Sequence, residues 1–201
     1  VSKFYEISRN IKELFVGIKP LVKAVENVSF KIFSGETVGV LGESGCGKTT
    51  LGKLILNLLE PSKGNIYFLS EDINNYEGKQ IKEFKKNVQL IFQNPYDALN
   101  PRFTIKNILL EPLRSLDFPA DQHKSLLENV MNLVKLSNVN EYLEKYPHEL
   151  SGGQLQRVVL ARALIINPLF VVADEPVSML DVSVRAGILN AFNEAKKKIN
   201  F

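Results

Sequence analysis

The chain has 201 residues, of which 45% are hydrophobic and 23% are charged, and its formal net charge is +3 at pH 7. This composition is that of an ordinary globular protein, and it excludes intrinsically disordered and fibrous chains. The small, scattered positive charge gives no reason to expect a nucleic-acid partner. The single cysteine, Cys46, excludes a disulfide within the chain and is consistent with a reducing compartment. No apolar run approaches the roughly 20 residues of a membrane-spanning helix, so we expect any membrane role to come through a partner.

Predicted strands and one predicted helix alternate in the first part of the chain. Strands are predicted at 22–32 and 36–41, with a turn at 34–35 between them. The run 37–41 is short and apolar, as expected for a strand that is buried on both faces. A glycine-rich segment follows, and apolar residues at helical spacing then predict a helix that Pro61 ends.

The sequence changes character at Asn94, after which prolines and helical patterns predominate. The other predicted elements are strands at 65–69, 88–92 and 169–173 and helices at 121–136 and 154–166. We interpret this order as one α/β core, about residues 1–94 and 168–201, interrupted by a mostly helical subdomain at about 95–167.

Residues 42–49 read GESGCGKT and match the pattern G-x-x-x-x-G-K-[ST] of a phosphate-binding P-loop. Glycines let the backbone curl so that its N–H groups point at phosphate oxygens, and the helix that follows directs its positive end at the same anion. We expect Lys48 to reach the β- and γ-phosphates and the Thr49 hydroxyl to ligate Mg²⁺. A simple glycine turn is the alternative, but the place between a predicted strand and a predicted helix favours the P-loop. The predicted nucleotide-binding residues of this segment are Gly42, Glu43, Ser44, Gly45, Cys46, Gly47, Lys48, Thr49 and Thr50.

Two carboxylates, Asp174 and Glu175, follow the predicted strand 169–173 directly. Ligands of parallel α/β sheets bind at the carboxyl ends of the strands, which is where a P-loop also lies. We expect Asp174 to hold Mg²⁺, directly or through water, and Glu175 to orient or deprotonate the water that attacks the γ-phosphate. Many strands end in acidic turns, so these two carboxylates indicate a nucleotide site only in combination with the P-loop.

Residues 150–154, which lie between these two motifs, read LSGGQ and lead into a predicted helix. This segment is identical to the signature sequence of the ABC ATPase family, and the order of the three motifs resembles that family. A helix N-cap at Ser151 would explain the local shape but not this order. Family members act as head-to-tail dimers in which the signature of one subunit faces the ATP of the other. The resemblance therefore implies that Ser151, Gly152, Gly153 and Gln154 bind nucleotide in trans.

Two further positions resemble the family pattern. Gln93 follows the predicted strand 88–92, as the family's Q-loop glutamine does, which implies contacts with Mg²⁺ and the attacking water. Residues 178–181 resemble the D-loop, with Met179 in place of the usual alanine, and we include Asp181 among the nucleotide-binding residues. The residues expected to be catalytic are Glu175, Gln93 and Lys48, and those expected to bind metal are Thr49, Gln93 and Asp174.

The family pattern is incomplete at the adenine contact and at the C-terminus. We assign Phe15 as the aromatic residue that stacks on adenine, and we assign Phe30 and Phe33 to the core or a turn. The family's catalytic histidine lies beyond the D-loop, whereas no histidine follows His148 here, so we expect the chain to be truncated. His148 itself precedes the signature and is interpreted as a packing or interface residue.

The predicted fold class is α/β: a P-loop NTPase core with a mostly parallel sheet, an N-terminal antiparallel β part and an inserted helical subdomain, in one ABC ATPase domain over 1–201. Blocks at 93–102 and 146–151 resemble the oligopeptide/dipeptide importer ATPases, as does 42–48, with Glu43 where many relatives carry proline. This resemblance implies an ATPase that uses ATP and Mg²⁺ to drive import. Its implied partners are another ABC ATPase subunit, in a homo- or heterodimer, and transmembrane permease subunits at the cytoplasmic face of the membrane.

Two other functions stay open. The chain could be a switch subunit that binds ATP and dimerises while its partner hydrolyses, although Glu175 and the intact signature favour an enzyme. It could also be a soluble ABC ATPase not attached to a transporter, acting on ribosomes or DNA. Such proteins usually carry two cassettes or long coiled-coil insertions, and the sequence has neither.

Overall fold

The computed structural model describes residues 1–6, 21–199 and 201, without the side chain of Asp97. These residues form two compact units, Val1–Glu77 and Gly78–Phe201. Each unit has a hydrophobic core of its own, small in the first unit and extensive in the second.

The first unit is built from short strands and one helix. Strand β1, Lys3–Glu6, pairs with β2, Leu21–Val25, as the predicted N-terminal antiparallel part. Helix α1 spans Lys48–Ile55 and buries Leu51 and Leu54 against Val25 of β2. The remaining elements are β3 at Tyr67–Phe68, its antiparallel partner β4 at Glu71–Asp72, and a 3₁₀ turn at Ile73–Asn75.

Two strand predictions in the first unit need correction. Strand β2 ends at Val25, so the predicted strand 22–32 is much shorter than expected. The predicted buried strand 36–41 is wrong: this segment forms no strand, and Leu41 is 95% exposed. An apolar run signals a buried strand only if other strands pair with it, and no described strand of this unit pairs with 36–41. The prediction of a strand at 65–69 is confirmed for only its two middle residues, those of β3.

The second unit alternates helices with two strands that pair in parallel. Its elements are α2 Lys79–Asn87, β5 Val88–Ile91, α3 Pro95–Ala98, α4 Ile105–Ser115, α5 His123–Leu133, α6 Val139–Leu143, α7 Gly152–Leu164, β6 Phe170–Ala173 and α8 Val182–Ile199. Two 3₁₀ turns, Ala120–Gln122 and Pro147–Glu149, precede α5 and α7. The register of the parallel pair places Val88 beside Phe170 and Ile91 beside Ala173.

Helices α4, α5 and α7 supply most of the core of the second unit. Ile105 and Leu109 of α4, Met131 of α5, and Leu155 and Leu164 of α7 have no exposed surface. Helix α7 is buried along most of its length, which fixes its axis and both of its ends. The segment that begins at Gly152 is therefore held on a rigid element.

The predicted α/β fold class is confirmed, including a parallel pair of strands and an antiparallel N-terminal part. The strands predicted at 88–92 and 169–173 and the helices predicted at 121–136 and 154–166 correspond to β5, β6, α5 and α7. The division into a core and a subdomain at 95–167 stays a prediction. Within the described residues, no helix has both the length and the apolar character to cross a membrane.

Candidate functional site

Gly47 determines the shape of the P-loop segment in the first unit. It adopts φ +101°, and a Cβ at this position would lie 2.1 Å from the carbonyl oxygen of Ala24, so no larger residue fits. Gly45 also has a positive φ, +81°, and the amide of Cys46 donates to the carbonyl of Glu43. These turns bring the chain to the start of α1 within a few residues, as the sequence pattern predicts.

The start of α1 has the character of an anion site. Gly47 is its N-cap and supplies no side chain to cap the first turn. The amides at the start of a helix have no partner within the helix, and they attract negative charge when no side chain satisfies them. Residues 42–46 are exposed beside this end of the helix. The backbone of the segment therefore fits a phosphate group.

Lys48 lies against the loop that precedes it. Its Nζ donates to the carbonyl oxygens of Gly42 at 2.9 Å and Glu43 at 2.8 Å. An ammonium group has three donors, so these two contacts use part of its capacity and keep it over the loop. Thr49 and Thr50 follow in the first turn of α1, with Thr49 exposed.

In the second unit, strands β5 and β6 bring Gln93, Asp174 and Glu175 together at their carboxyl ends. The amide of Asp174 donates to the carbonyl of Ile91 at 3.0 Å, which extends the parallel ladder by one residue. Beyond it, Nε2 of Gln93 donates to Oε2 of Glu175 at 2.8 Å. Glu175 lies 82 residues after Gln93 in the sequence, and the two meet because the strands that precede them are paired.

Ser178 completes this arrangement. Its hydroxyl donates to the carbonyl of Glu175 at 3.0 Å and lies 3.5 Å from Nε2 of Gln93, which donates to it. Glu175 has a φ of +46°, an uncommon conformation for a residue other than glycine. The turn closed by the amide of Ser178 on the carbonyl of Glu175 holds the backbone there.

Residues of the predicted signature form the N-terminus of α7. The hydroxyl of Ser151 accepts from the amide of Gln154, and Oε1 of Gln154 accepts from the amide of Ser151, so the two residues form a capping box. Nε2 of Gln154 donates to the hydroxyl of Tyr142 at 3.2 Å, which fixes the direction of its side chain. The segment is thus ordered by its own hydrogen bonds.

Helix α8 packs closely against the signature end of α7. A Cβ on Gly153 would lie 2.6 Å from Cγ1 of Val184, and one on Gly152 would lie 3.7 Å from Cδ2 of Leu180. These contacts place residues 178–181, which include the exposed Asp181, beside the start of α7. The predicted signature and D-loop segments are therefore neighbours within the second unit.

The donor chemistry of these residues fits ATP with Mg²⁺. Mg²⁺ is bound in proteins by one or two hydroxyl or carboxylate oxygens together with substrate phosphates, and Thr49 and Asp174 carry such oxygens. The P-loop residues and the acidic residues belong to different units, and each group keeps the local geometry described above.

No role was predicted from the sequence for three residues that make hydrogen bonds at or near the site. Ser178 lies in the D-loop segment but was not assigned a role, and Tyr142 and Arg185 belong to no motif. Phe15 lies outside the described residues. Phe33 is in a turn, as predicted, whereas Phe30 is exposed and belongs to neither a core nor a turn. His148 stacks on Tyr146 with ring centroids 5.7 Å apart, which fits the predicted packing role.

Comparisons with known proteins agree with the motifs. Residues 25–178 match a family model described as ABC transporter. The chain is 44% identical over 193 residues to the oligopeptide transport ATP-binding protein OppF of Haemophilus influenzae, covering 95% of this chain and 58% of that protein. It is 43% identical over 189 residues to the dipeptide transport ATP-binding protein DppF of Lactococcus lactis, covering 92% of this chain and 60% of that protein. The chain therefore spans less than two thirds of these curated relatives.

A solved structure has the same fold. The ATP-binding cassette MJ0796, determined as a dimer in a post-hydrolysis state with ADP and Pi, matches with a TM-score of 0.80 and 26% sequence identity. The match covers 100% of this chain and 82% of that one. The α/β class predicted from the motifs is the class of this cassette.

Proposed function

The chain belongs to the ABC transporter family, and on that premise we propose that it binds and hydrolyses ATP to power the import of oligopeptides or dipeptides. The observation that carries the proposal is the hydrogen bond from Gln93 to Glu175 at the carboxyl ends of two parallel strands. It joins an amide that can orient a water molecule to a carboxylate that can take its proton. The relatives named for oligopeptide and dipeptide transport support the choice of solute.

Each residue of the proposed site has a role that follows from its chemistry. Lys48 and the amides at the start of α1 bind the phosphates, since the lysine carries a positive charge and the amides are hydrogen-bond donors. Thr49 and Asp174 would hold Mg²⁺, which would neutralise charge on the phosphates. Gln93 orients the attacking water, and Glu175 accepts its proton.

The partners follow from the same proposal. In this proposal the N-terminus of α7, which Ser151 and Gln154 order, binds the ATP that is held by another ABC ATPase subunit. Dimerisation would then depend on ATP, as the family resemblance implies. We place the chain at the cytoplasmic face of the membrane as a peripheral subunit bound to permease subunits.

The test is steady-state Mg-ATP hydrolysis by the 201-residue chain, with nucleotide binding recorded in parallel. We expect Lys48→Ala to lose binding and turnover, and Glu175→Gln to keep binding while turnover falls by about 10²- to 10⁴-fold. Lys53→Ala, an exposed lysine in the last turn of the same helix, is the matched control and should behave as the wild type.

The outcomes separate the candidate functions. A Glu175→Gln chain that loses turnover and stays in an ATP-bound dimer would favour the enzyme over a switch subunit whose partner hydrolyses. A folded sample that does not bind ATP would contradict the proposal altogether. Transport is tested separately, by asking whether the chain restores peptide uptake to vesicles that contain the permease subunits.

A further inference from the structure

Arg185 binds the loop that joins Glu175 to α8, although no sequence motif contains this residue. It lies in the first turn of α8, four residues after Asp181. Its Nε donates to the carbonyl of Leu180 at 2.8 Å, and its Nη2 donates to the carbonyl of Ser178 at 3.4 Å. A guanidinium group carries its donors in one rigid plane, so the two carbonyls that it binds are held relative to each other.

Ser178 connects this arginine to the acidic residues. Its hydroxyl donates to the carbonyl of Glu175, and its Oγ accepts from Gln93. Gln93 in turn donates to the carboxylate of Glu175. The backbone of Glu175 and its carboxylate are therefore both held by groups that contact Ser178.

Leu180 connects the same arginine to α7. Its side chain is 8% exposed and packs at the position of Gly152, the first residue of that helix. Ser151, which caps α7, is the next residue along the chain. The two carbonyls bound by Arg185 thus belong to the residue that contacts Glu175 and to the residue that contacts the signature end of α7.

We propose that Arg185 is a positioning residue of the ATPase site. It keeps Glu175 and Gln93 aligned and holds Leu180 in its contact with the start of α7. The inference rests on the proposed function, because it assigns Arg185 a part in that reaction. Arg185 is exposed and lies outside the hydrophobic core cluster, so its truncation is expected to leave the fold intact.

The first test compares Mg-ATP hydrolysis by the wild-type chain, Arg185→Ala, Arg185→Lys and Arg114→Ala. Arg114 is an exposed arginine in the last turn of α4 and serves as the matched control. We expect Arg185→Ala to lower kcat by about tenfold, with KM within about twofold of the wild type. Arg185→Lys should recover part of the loss, because an ammonium group can still donate to one carbonyl. Arg114→Ala should match the wild type in turnover, and the thermal midpoints of Arg185→Ala and Arg114→Ala should agree.

A second test asks whether Arg185 acts through Glu175. In a Glu175→Gln chain, adding Arg185→Ala should change the residual rate little, since the carboxylate that it positions is already absent. Amide hydrogen exchange over residues 175–181, measured without ATP, should be faster in Arg185→Ala and unchanged in Arg114→Ala.

Each outcome bears on the positioning role. Wild-type kcat in Arg185→Ala, an equal loss in the Glu175→Gln background, or unchanged exchange at 175–181 would overturn it while leaving the proposed ATPase intact. Absence of Lys48-dependent hydrolysis in the wild type would contradict the proposed function itself, and the role of Arg185 with it.

Discussion

The P-loop segment and the signature segment each contain a glycine at which an added Cβ would clash, but with different kinds of neighbour. Gly47 faces a backbone carbonyl, that of Ala24, and has a positive φ, whereas Gly153 faces the side chain of Val184. A carbonyl in a folded backbone has little freedom to move, while a side chain can be shortened by substitution. The starts of the two helices differ in the same way: Gly47, the N-cap of α1, supplies no side chain, whereas the side chain of Ser151 caps α7.

This comparison indicates two ways of building a binding segment. In the first unit the shape comes from the backbone, so each residue type is fixed by the space and the φ available. In the second unit the shape comes from side-chain contacts, such as those between Gln93 and Glu175. Where the backbone sets the shape, we expect no second substitution to restore the stability lost by a mutation. Where side chains set the shape, a second substitution should restore part of it.

The largest effect is expected for Gly47→Ala. The clash with the carbonyl of Ala24 adds to the strain of φ +101°, so we expect a loss of about 3 kcal/mol or more in the stability of the first unit. ATP binding should be lost as well. Urea unfolding and nucleotide binding are the measurements.

Two other glycines serve as controls for Gly47. Gly35 has φ +75° with nothing within 4 Å of a Cβ, so Gly35→Ala tests strain alone, at about 1–2 kcal/mol. Gly39 has neither a neighbour nor a positive φ, and Gly39→Ala should be neutral or slightly stabilising. Equal effects at all three positions would contradict the steric explanation.

The next effect is expected for Gly153→Ala, at about 1–3 kcal/mol, because the new methyl group overlaps Val184. Adding Val184→Ala should restore part of the stability, with a coupling free energy of at least about 0.5 kcal/mol in a double-mutant cycle. Purely additive losses would mean that the two helices do not meet as described. No such rescue is available for Gly47→Ala, and that difference is what the comparison predicts.

Gln93→Ala should act on turnover more than on stability. Removing the donor to Glu175 is expected to lower kcat about tenfold, while the stability changes by less than about 1 kcal/mol because the bond is exposed. Gln89→Ala, in strand β5 just before Gln93, is the control: its Nε2 donates to the carbonyl of Lys85, and kcat should not change. A similar fall in kcat for both variants would remove the specific role of Gln93.

The smallest effect is expected in the β3–β4 turn of the first unit. Leu69 and Ser70 have φ of +50° and +71°, the conformation that glycine or asparagine prefers in such hairpins. Ser70→Gly should therefore stabilise this unit by about 1 kcal/mol or less. Ser125→Gly, within helix α5, should destabilise the second unit by a similar amount. Urea unfolding of both variants measures the contribution of φ to stability alone, without the steric clash that Gly47→Ala introduces.

The second unit was more predictable from the sequence than the first. Strands β5 and β6 were predicted to within one residue, because short apolar runs that end in polar residues favour paired strands. The segment 36–41 has an equally clear apolar pattern but forms no strand. An apolar pattern shows which residues are suited to burial in a sheet, but it does not show whether partner strands are present to pair with them.

The motifs identified two residues that the structure brings into contact, but they did not identify the residues that support this contact. Gln93 and Glu175 lie in motifs, and the structure brings them together. Ser178 lies in the D-loop segment and Arg185 in no motif, and both contact backbone carbonyls, which any residue can offer, so neither side chain was assigned a role from the sequence. Only the folded loop identifies them.

The capping box of α7 has a consequence for the reversibility of ligand binding. The hydroxyl of Ser151 uses a lone pair to accept from the amide of Gln154, and a hydroxyl that accepts still has its own proton to donate. The hydroxyl can therefore donate a hydrogen bond to an anion while it still caps the helix. On the proposed function, binding and release of an anion at this end of α7 would break no hydrogen bond of the cap, and the first turn of the helix would stay intact through repeated cycles.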